Sequence, residues 1–217
     1  MTGVSGIVLA GGQGRRMGGV DKGLQLLRGK PMVEWVLARL APQVAEIIVN
    51  ANQNIESYKK YGHRVVRDEI AGFAGPLAGV LTALDWTAAN APAIDWVASF
   101  PTDAPFFPED LVARLADAIA HQGADLACAT SDGQIHSVFA LWPVKLRGDL
   151  RRALVDEAIR TVARWTDRYK LARVDFPCQP FDPFFNINRP ENLAEAEALL
   201  TRAATSGISA RAGESAR

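Results

Sequence analysis

The residue types that could do chemistry begin with a glycine-rich segment that carries three cations. This segment, LAGGQGRRMGGVDKGL, runs from Leu9 to Leu24. Glycines have no Cβ, so their backbone N–H groups can approach an anion closely. Arg15, Arg16 and Lys22 outnumber the single carboxylate of Asp21 in this segment. The composition predicts that the segment holds a polyanion against its backbone.

Two common phosphate motifs do not fit this segment. The dinucleotide fingerprint G-x-G-x-x-G requires a glycine where Met17 stands, and the P-loop requires a hydroxyl residue after its lysine, where Gly23 follows Lys22. The segment nevertheless follows an apolar strand, Ile7–Ala10, and α/β folds bind ligands beyond the carboxyl ends of their strands. We therefore interpret it as a phosphate-binding loop rather than a solvated surface loop.

A second candidate is the carboxylate of Asp103, which follows the apolar run Trp96–Phe100. A carboxylate opposite a phosphate loop can hold Mg²⁺ against a triphosphate, because Mg²⁺ prefers hard oxygen ligands. Lys22 and Arg16 would neutralise the charge that develops as pyrophosphate leaves. The alternatives are an aspartate that only stabilises a turn at position 103 and a solvated loop lysine at position 22.

The order of elements predicts how these residues are brought together. Short apolar runs predict strands at Ile7–Ala10, Glu46–Val49, Arg64–Val66, Trp96–Phe100, Leu126–Ala129, Val138–Trp142 and Leu171–Phe176. Amphipathic patterns predict helices at Met32–Leu40, Leu77–Ala88, Glu109–Ala120 and Glu191–Arg202, with one or two more within Lys145–Tyr169. This alternation is typical of a three-layer α/β fold with a mostly parallel central sheet.

Length and composition limit the class of protein. The chain of 217 residues, 48% hydrophobic, predicts a single domain at residues 1–203, followed by a disordered tail at 204–217. Its net charge of zero disfavours nucleic acid or an anionic membrane as partner. Cys128 and Cys178 have no metal or redox spacing, and no apolar run reaches a membrane-spanning length. We expect a cytoplasmic protein.

The glycine-rich segment and several later blocks resemble a known family. The pattern LAGG-x-x-RRMG followed by Asp21-Lys22 resembles the nucleotidyltransferases with the glycosyltransferase-A type of Rossmann-like fold. The Gly-Gly form followed by GVDKG is similar to the molybdenum cofactor guanylyltransferases, the MobA family. Similar blocks follow in order: VNAN at 49–52, Asp68, GPLAG at 75–79, PTDAP at 101–105 and FNIN at 185–188. Together they cover nearly the whole chain.

The resemblance implies an activity and a set of site residues. The reaction is transfer of GMP from Mg²⁺-bound GTP to the terminal phosphate of molybdopterin-bound molybdenum, with release of pyrophosphate. The implied catalytic residues are Lys22, Arg16 and Asp103, and Asp103 is the implied metal ligand. The implied nucleotide-binding residues are Leu9, Ala10, Gly11, Gly12, Lys22, Asn50, Asp68, Gly75, Pro76, Leu77, Gly79 and Asp103.

The acceptor side is expected to involve Arg160, Asn186 and Asn188. The positions of Arg160, Arg164 and Arg168 would place three cations on one face of a helix, which either meets an anion or is simply solvated. The resemblance places Asn186 and Asn188 near the active site. Asn188 also has the spacing of a helix N-cap, because a glutamate stands three residues later.

Two rival functions remain open from the sequence. A cytidylyltransferase or a sugar-1-phosphate nucleotidyltransferase would share Lys22 and Asp103 and differ in its base and acceptor contacts. A non-catalytic module that binds nucleotide and delivers cofactor is the rival from another class, but binding alone would not require a metal-ligating carboxylate. The expected partners are GTP, molybdopterin-bound molybdenum, other molybdenum cofactor proteins and apo-molybdoenzymes.

Overall fold

The structure, a computed structural model, describes residues 3–10, 21–70 and 75–205. Its strands are β1 Ser5–Leu9, β2 Leu26–Leu27, β3 Lys30–Pro31, β4 Glu46–Asn50, β5 Arg64–Val66, β6 Trp96–Pro101, β7 Leu126–Ser131, β8 Gln134–Pro143 and β9 Leu171–Asp175. Its α-helices are α1 Met32–Leu40, α2 Ile55–Lys59, α3 Pro76–Asn90, α4 Leu111–Gln122, α5 Arg147–Val155, α6 Val162–Thr166 and α7 Pro190–Thr205. The predicted α/β class is confirmed.

In the described part of the chain, seven strands form the central sheet, in the order β5-β4-β1-β6-β8-β7-β9. All neighbours are parallel except β8, which runs antiparallel to both β6 and β7. The reason lies in the connection between β7 and β8, where only Asp132 and Gly133 intervene, both with positive φ. A two-residue turn of this kind can join only antiparallel strands.

Helices cover both faces of the sheet because its central strands are apolar on both sides. On one face, α1 and α4 pack against side chains such as Val8, Val49 and Phe100. On the other face, α3, α5 and α6 pack against Ile7, Ile48 and Val97. Neighbouring residues of a strand therefore belong to opposite cores, as the alternation of side chains along a strand requires.

A third, smaller cluster attaches α7 to α1, to the β2–β3 hairpin and to the β6–α4 connection. Leu200 of α7 packs with Met32 at the start of α1, Phe106 of the β6–α4 connection and Ile187 of the segment before α7. The same cluster contains Leu27 of the β2–β3 hairpin. This packing brings the segment that precedes α7 next to the end of β6.

Two expectations about the later part of the chain are changed. Helix α6 is only five residues long, so Arg160 and Arg168 lie outside it and the three arginines do not share a helical face. Arg168 pairs with Glu157 instead.

Within the described residues, no helix is long and apolar enough to cross a bilayer. Helix α7 continues to Thr205, and the rest of the expected tail, 206–217, lies outside the described residues.

Candidate functional site

The candidate site lies at the sheet edge where the parallel strands β1, β4, β5 and β6 end. Leu9, Asn50 and Pro101 occupy neighbouring positions at this edge, since Leu9 is in register with both of the others. Ala10 continues the pairing by donating its N–H to the carbonyl of Asn50 at 2.8 Å. Residues 11–20 follow directly, so the predicted Gly11, Gly12 and Arg16 lie outside the described residues.

Lys22 is the centre of a polar cluster at this edge. Its Nζ is 3.0 Å from Oδ2 of Asp103, and it also donates to Oδ1 of Asn188. The ion pair is partly screened from solvent, with 20% of the lysine side chain and 19% of the aspartate side chain exposed. Three segments far apart in the sequence thus place a cation, a carboxylate and a carboxamide at one point.

The segment before α7 is responsible for the third member of this cluster. Ile187 is buried and donates its N–H to the carbonyl of Asp103 at 2.7 Å, which holds its two asparagine neighbours beside the end of β6. The sequence allowed Asn188 either a place near the active site or the role of a helix N-cap; α7 begins at Pro190, and the Oδ1 of Asn188 accepts from Lys22. Asn186 is exposed on the surface.

A second polar cluster joins the ends of β4 and β5. The carboxylate of Asp68 accepts one N–H from Asn50, at 2.9 Å, and one from Asn52, at 2.7 Å. Asn52 also accepts the backbone N–H of Asp68. Each carboxylate oxygen has two acceptor positions, so a second donor can still reach each of them. We did not predict a site role for Asn52, although it stands in the block that suggested Asn50.

Helix α3 begins against this second cluster. Gly75 has a φ of 151°, Pro76 is the first helical residue, and Leu77 is 1% exposed with its side chain in the core. Gly79 packs so tightly that an added Cβ would lie 2.5 Å from Oδ1 of Asn50. The segment 75–79 therefore turns its backbone, and not the side chain of Leu77, toward the edge of the sheet.

Asp21 anchors the turn that carries Lys22. Its carboxylate accepts the backbone N–H of Gly23, the side-chain N–H of Asn54 and the hydroxyl of Tyr58. Burial, and then the hydrogen bond to Asp21, raises the pKa of Tyr58. No sequence signal marks Tyr58 or Asn54 as part of this site, because they reach Asp21 only through the packing of α2.

A further polar cluster, in which Ser131 is buried and His136 and Asp182 are half-buried, lies at the end of β7 and the start of β8. Ser131 donates to Asp182 at 2.9 Å and contacts Nε2 of His136 at 2.6 Å. The hydroxyl has one proton and uses it in the hydrogen bond to Asp182. The Nε2–H of His136 must therefore donate to the oxygen of Ser131. The ring of His136 also packs on Phe184, and burial lowers the pKa of this histidine. These contacts attach the 181–188 segment to the sheet.

The backbone of Arg160 lies beside the start of α3. Its carbonyl oxygen is 3.6 Å from the position that a Cβ on Gly75 would take. Its guanidinium donates to the carbonyls of Leu154 and Ile159, near the end of α5. The structure thus brings Arg160 to the side of the candidate site at which the Asn50 and Asp68 cluster lies.

The side-chain oxygen atoms at the edge suit a hard divalent cation that substrate phosphates also bind. No group of three or more His, Cys, Asp or Glu residues among the described residues could hold a metal ion by itself. Asp103 offers a carboxylate and Asn188 a carboxamide oxygen at the same point. Mg²⁺ is commonly held by one or two carboxylates together with substrate phosphates, so these residues fit that group.

Comparison with known proteins gives consistent results. Residues 6–172 match the family described as the MobA-like NTP transferase domain. A molybdenum cofactor guanylyltransferase of Bradyrhizobium sp. (strain ORS 278) is 52% identical over 198 residues, which are 91% of this chain and 93% of that protein. One from Rhodopseudomonas palustris (strain BisB5) is 50% identical over 196 residues, 90% of this chain and 93% of its own.

A solved structure shares the fold. Molybdopterin-guanine dinucleotide biosynthesis protein A from Archaeoglobus fulgidus superposes with a TM-score of 0.71 at 24% identity. The superposition covers 91% of this chain and 99% of that chain.

Proposed function

We infer that this chain, which belongs to the MobA-like NTP transferase family, transfers GMP from GTP to the terminal phosphate of molybdopterin-bound molybdenum and releases pyrophosphate. Relatives that carry the name molybdenum cofactor guanylyltransferase align over nearly the whole chain. The geometric observation that carries the proposal is the contact of Lys22 with both Asp103 and Asn188 at the carboxyl edge of the sheet.

The chemistry needs alignment and charge more than proton transfer. A phosphate monoester has a second pKa of about 6 and is already a nucleophilic dianion at neutral pH. No general base is therefore required, and the residues have to align the acceptor with the α-phosphorus and neutralise the departing pyrophosphate. We assign the charge neutralisation to Lys22, whose side chain is partly exposed at the edge, and to Arg16.

The two polar clusters divide the substrate between them. We assign the phosphates of GTP to Gly11, Gly12 and Lys22. The remaining nucleotide contacts are assigned to the edge residues around the second cluster: Leu9, Ala10, Asn50, Asp68, Gly75, Pro76, Leu77 and Gly79. Asn186 and Asn188 are the proposed acceptor contacts beside Asp103. Arg160 is the third proposed acceptor contact, and its backbone lies next to Gly75.

We propose Mg²⁺ as the cofactor, held by Asp103. When bound with the triphosphate, the ion would supply Lewis-acid neutralisation of phosphate charge. Lys22 and Asp103 each lie opposite a charge of the other sign in their ion pair. A triphosphate with its metal ion would also place a negative charge beside Lys22 and a positive charge beside Asp103.

We further propose a cytoplasmic location, since Cys128 and Cys178 are free thiols. The proposed partners are other molybdenum cofactor proteins and apo-molybdoenzymes.

Nucleotide preference and turnover test this proposal together. Binding of GTP, CTP, ATP and dTTP is measured by calorimetry with Mg²⁺, and pyrophosphate release is followed with molybdopterin-bound molybdenum as acceptor. We expect GTP to bind most tightly and to be turned over. Preference for CTP would favour the cytidylyltransferase, and tight GTP binding without pyrophosphate release would favour the delivery module.

A further inference from the structure

The carboxylate of Asp21 is held by three donors from two parts of the chain. Oδ1 accepts the N–H of Gly23 at 3.1 Å and the hydroxyl of Tyr58 at 2.6 Å. Oδ2 accepts the side-chain N–H of Asn54 at 3.1 Å. The first contact closes the 3-10 turn Lys22–Leu24, which Asp21 caps. The other two tie that turn to α2.

Helix α2 presents a donor to Asp21 from each of its ends. Asn54 stands at its N-terminal end with a φ of 51°, a left-handed conformation that asparagine tolerates better than most residues. Tyr58 lies one turn later, fully buried in the core beneath the sheet edge. Burial and the contact with Asp21 raise the pKa of Tyr58, so its hydroxyl keeps its proton and remains a donor to the carboxylate.

The turn is also packed from both sides. A Cβ on Gly23 would lie 2.5 Å from the hydroxyl oxygen of Tyr58 and 3.1 Å from Cβ of Thr102. Thr102 immediately precedes Asp103, so the same contact that confines Gly23 involves the end of β6. The backbone of Lys22 is thus held between α2 and β6, and its side chain extends to Asp103 and Asn188.

We propose that Tyr58 and Asn54, acting through Asp21, are positioning residues that hold Lys22 for nucleotidyl transfer. This inference rests on the proposed function, because it takes Lys22 to be the residue that contacts the triphosphate. A lysine has a long, flexible side chain, and fixing its backbone in advance leaves less freedom to be lost when the transition state forms. In this proposal both residues act through Asp21 and the backbone of Lys22, and not by contact with the reacting atoms.

A double-mutant cycle tests the inference. Tyr58→Phe removes the donor but keeps the ring in the core, and we expect kcat/KM to fall about tenfold, less than the roughly 10²-fold that a 1 Å misplacement of a catalytic group can cost. In a Lys22→Ala background the same substitution should cause no further loss, because its effect passes through Lys22. The matched control is Tyr61→Phe, a nearby hydroxyl that interacts with Glu34 instead and should leave kcat/KM unchanged.

The inference fails if Tyr58→Phe has the activity of the wild type, or if its loss is equally large without Lys22, as a general structural defect would produce. Should Tyr58→Phe not fold, Asn54→Gly replaces it in the cycle. Glycine accepts the left-handed backbone at the exposed end of α2 and removes only the side-chain donor.

Acylation of Lys22 separates a failure of the inference from a failure of the proposed function. Labelling is followed by peptide mass spectrometry with a lysine-directed reagent. In the wild type, Mg²⁺ and GTP should protect Lys22, and absence of protection would contradict its assigned role in the proposed function. In Tyr58→Phe without nucleotide, Lys22 should be labelled faster, and an unchanged rate would overturn the positioning inference alone.

Discussion

At the scale of single residues, the site consists of charged and amide groups that satisfy one another. Lys22 and Asp103 pair at 3.0 Å, and Asp68 is bound by two asparagines. Solvent-exposed ion pairs contribute about 0–1 kcal/mol to stability, and in this pair, with side chains 20% and 19% exposed, desolvation offsets part of the Coulombic gain. We propose that the Lys22 and Asp103 pair serves the site through its charges more than it serves the free energy of folding.

Asp103→Asn should therefore separate activity from stability. The substitution keeps the shape of the side chain and removes the charge that would hold the metal, so we expect kcat to fall by roughly 10²-fold or more. Pyrophosphate release measures the loss, and the thermal midpoint should stay near that of the wild type. Asp117→Asn, an exposed position on α4, is the control for a change of charge. Near-normal turnover by Asp103→Asn would contradict the metal assignment.

At the scale of elements, the site depends on how closely α3 approaches the end of β4. Gly79 allows this approach, because an added Cβ would meet Asn50 Oδ1 at 2.5 Å and Leu9 Cδ2 at 2.6 Å. The contact fixes the orientation of the Asn50 carboxamide, which in turn binds Asp68. A glycine inside a helix is ordinarily unfavourable, and here it is required by the neighbouring strand.

Gly79→Ala should weaken the site through this contact. Overpacking of a helix against a strand typically costs about 1–3 kcal/mol, so we expect both a lower thermal midpoint and a higher Kd for GTP, measured by calorimetry. Gly148→Ala is the matched control, since Gly148 lies in α5 with nothing near the added Cβ. That substitution should be neutral or stabilising by up to about 1 kcal/mol. Equal GTP affinity in the two variants would show that Asn50 is not displaced.

The segment between α5 and α6 carries the second element-scale prediction. If Arg160 contacts the acceptor phosphate, Arg160→Ala should raise the Kd for molybdopterin and leave the Kd for GTP unchanged. Arg164→Ala, an exposed neighbour on α6, is the control and should change neither. A loss of GTP affinity in Arg160→Ala would instead assign this residue to the nucleotide, in keeping with its place beside Gly75.

At the scale of the whole molecule, two cores on opposite sheet faces hold four strand ends in one line. The segment 181–188 completes this edge, and Asp182 ties it to Ser131 and His136 on the other half of the sheet. Burial lowers the pKa of His136 in the folded state, and burial does the same for His63. The stability of the fold should therefore depend on pH near neutrality.

The sign of this dependence follows from the two histidine pKa values. The unfolded state binds protons at about pH 6.5 and the folded state only below that, so stability is complete above this value and is lost as pH falls toward the folded pKa. We expect the urea midpoint to decrease between pH 7.5 and 5.5. His136→Gln should reduce the decrease, and His136→Gln with His63→Gln should reduce it further. A slope that is unchanged in both variants would assign the pH dependence to other groups.

Local patterns predicted the helices and strands, because the spacing of apolar residues within each segment reflects which of its faces are buried. The helix Met32–Leu40 and the strand Arg64–Val66 have the predicted bounds, and the other predicted strands and helices differ from the observed ones mainly at their ends. Asp103 and Lys22 were identified from residue type and from their place after a strand and within a glycine-rich segment. These features are local, and a single segment of sequence contains them.

The contacts between segments were decided only by the tertiary structure. Asn188 had the spacing of a helix cap, but packing of Ile187 with α7 and Phe106, and the hydrogen bond of Ile187 to Asp103, brought its carboxamide to Lys22. Arg160 does not lie on the expected helical face, because α6 begins only at Val162. Tyr58 reached Asp21 across 37 positions of sequence. Residue types and spacing determined which elements form and which side chains can do chemistry, whereas burial of apolar surface between distant segments decided which of those side chains meet.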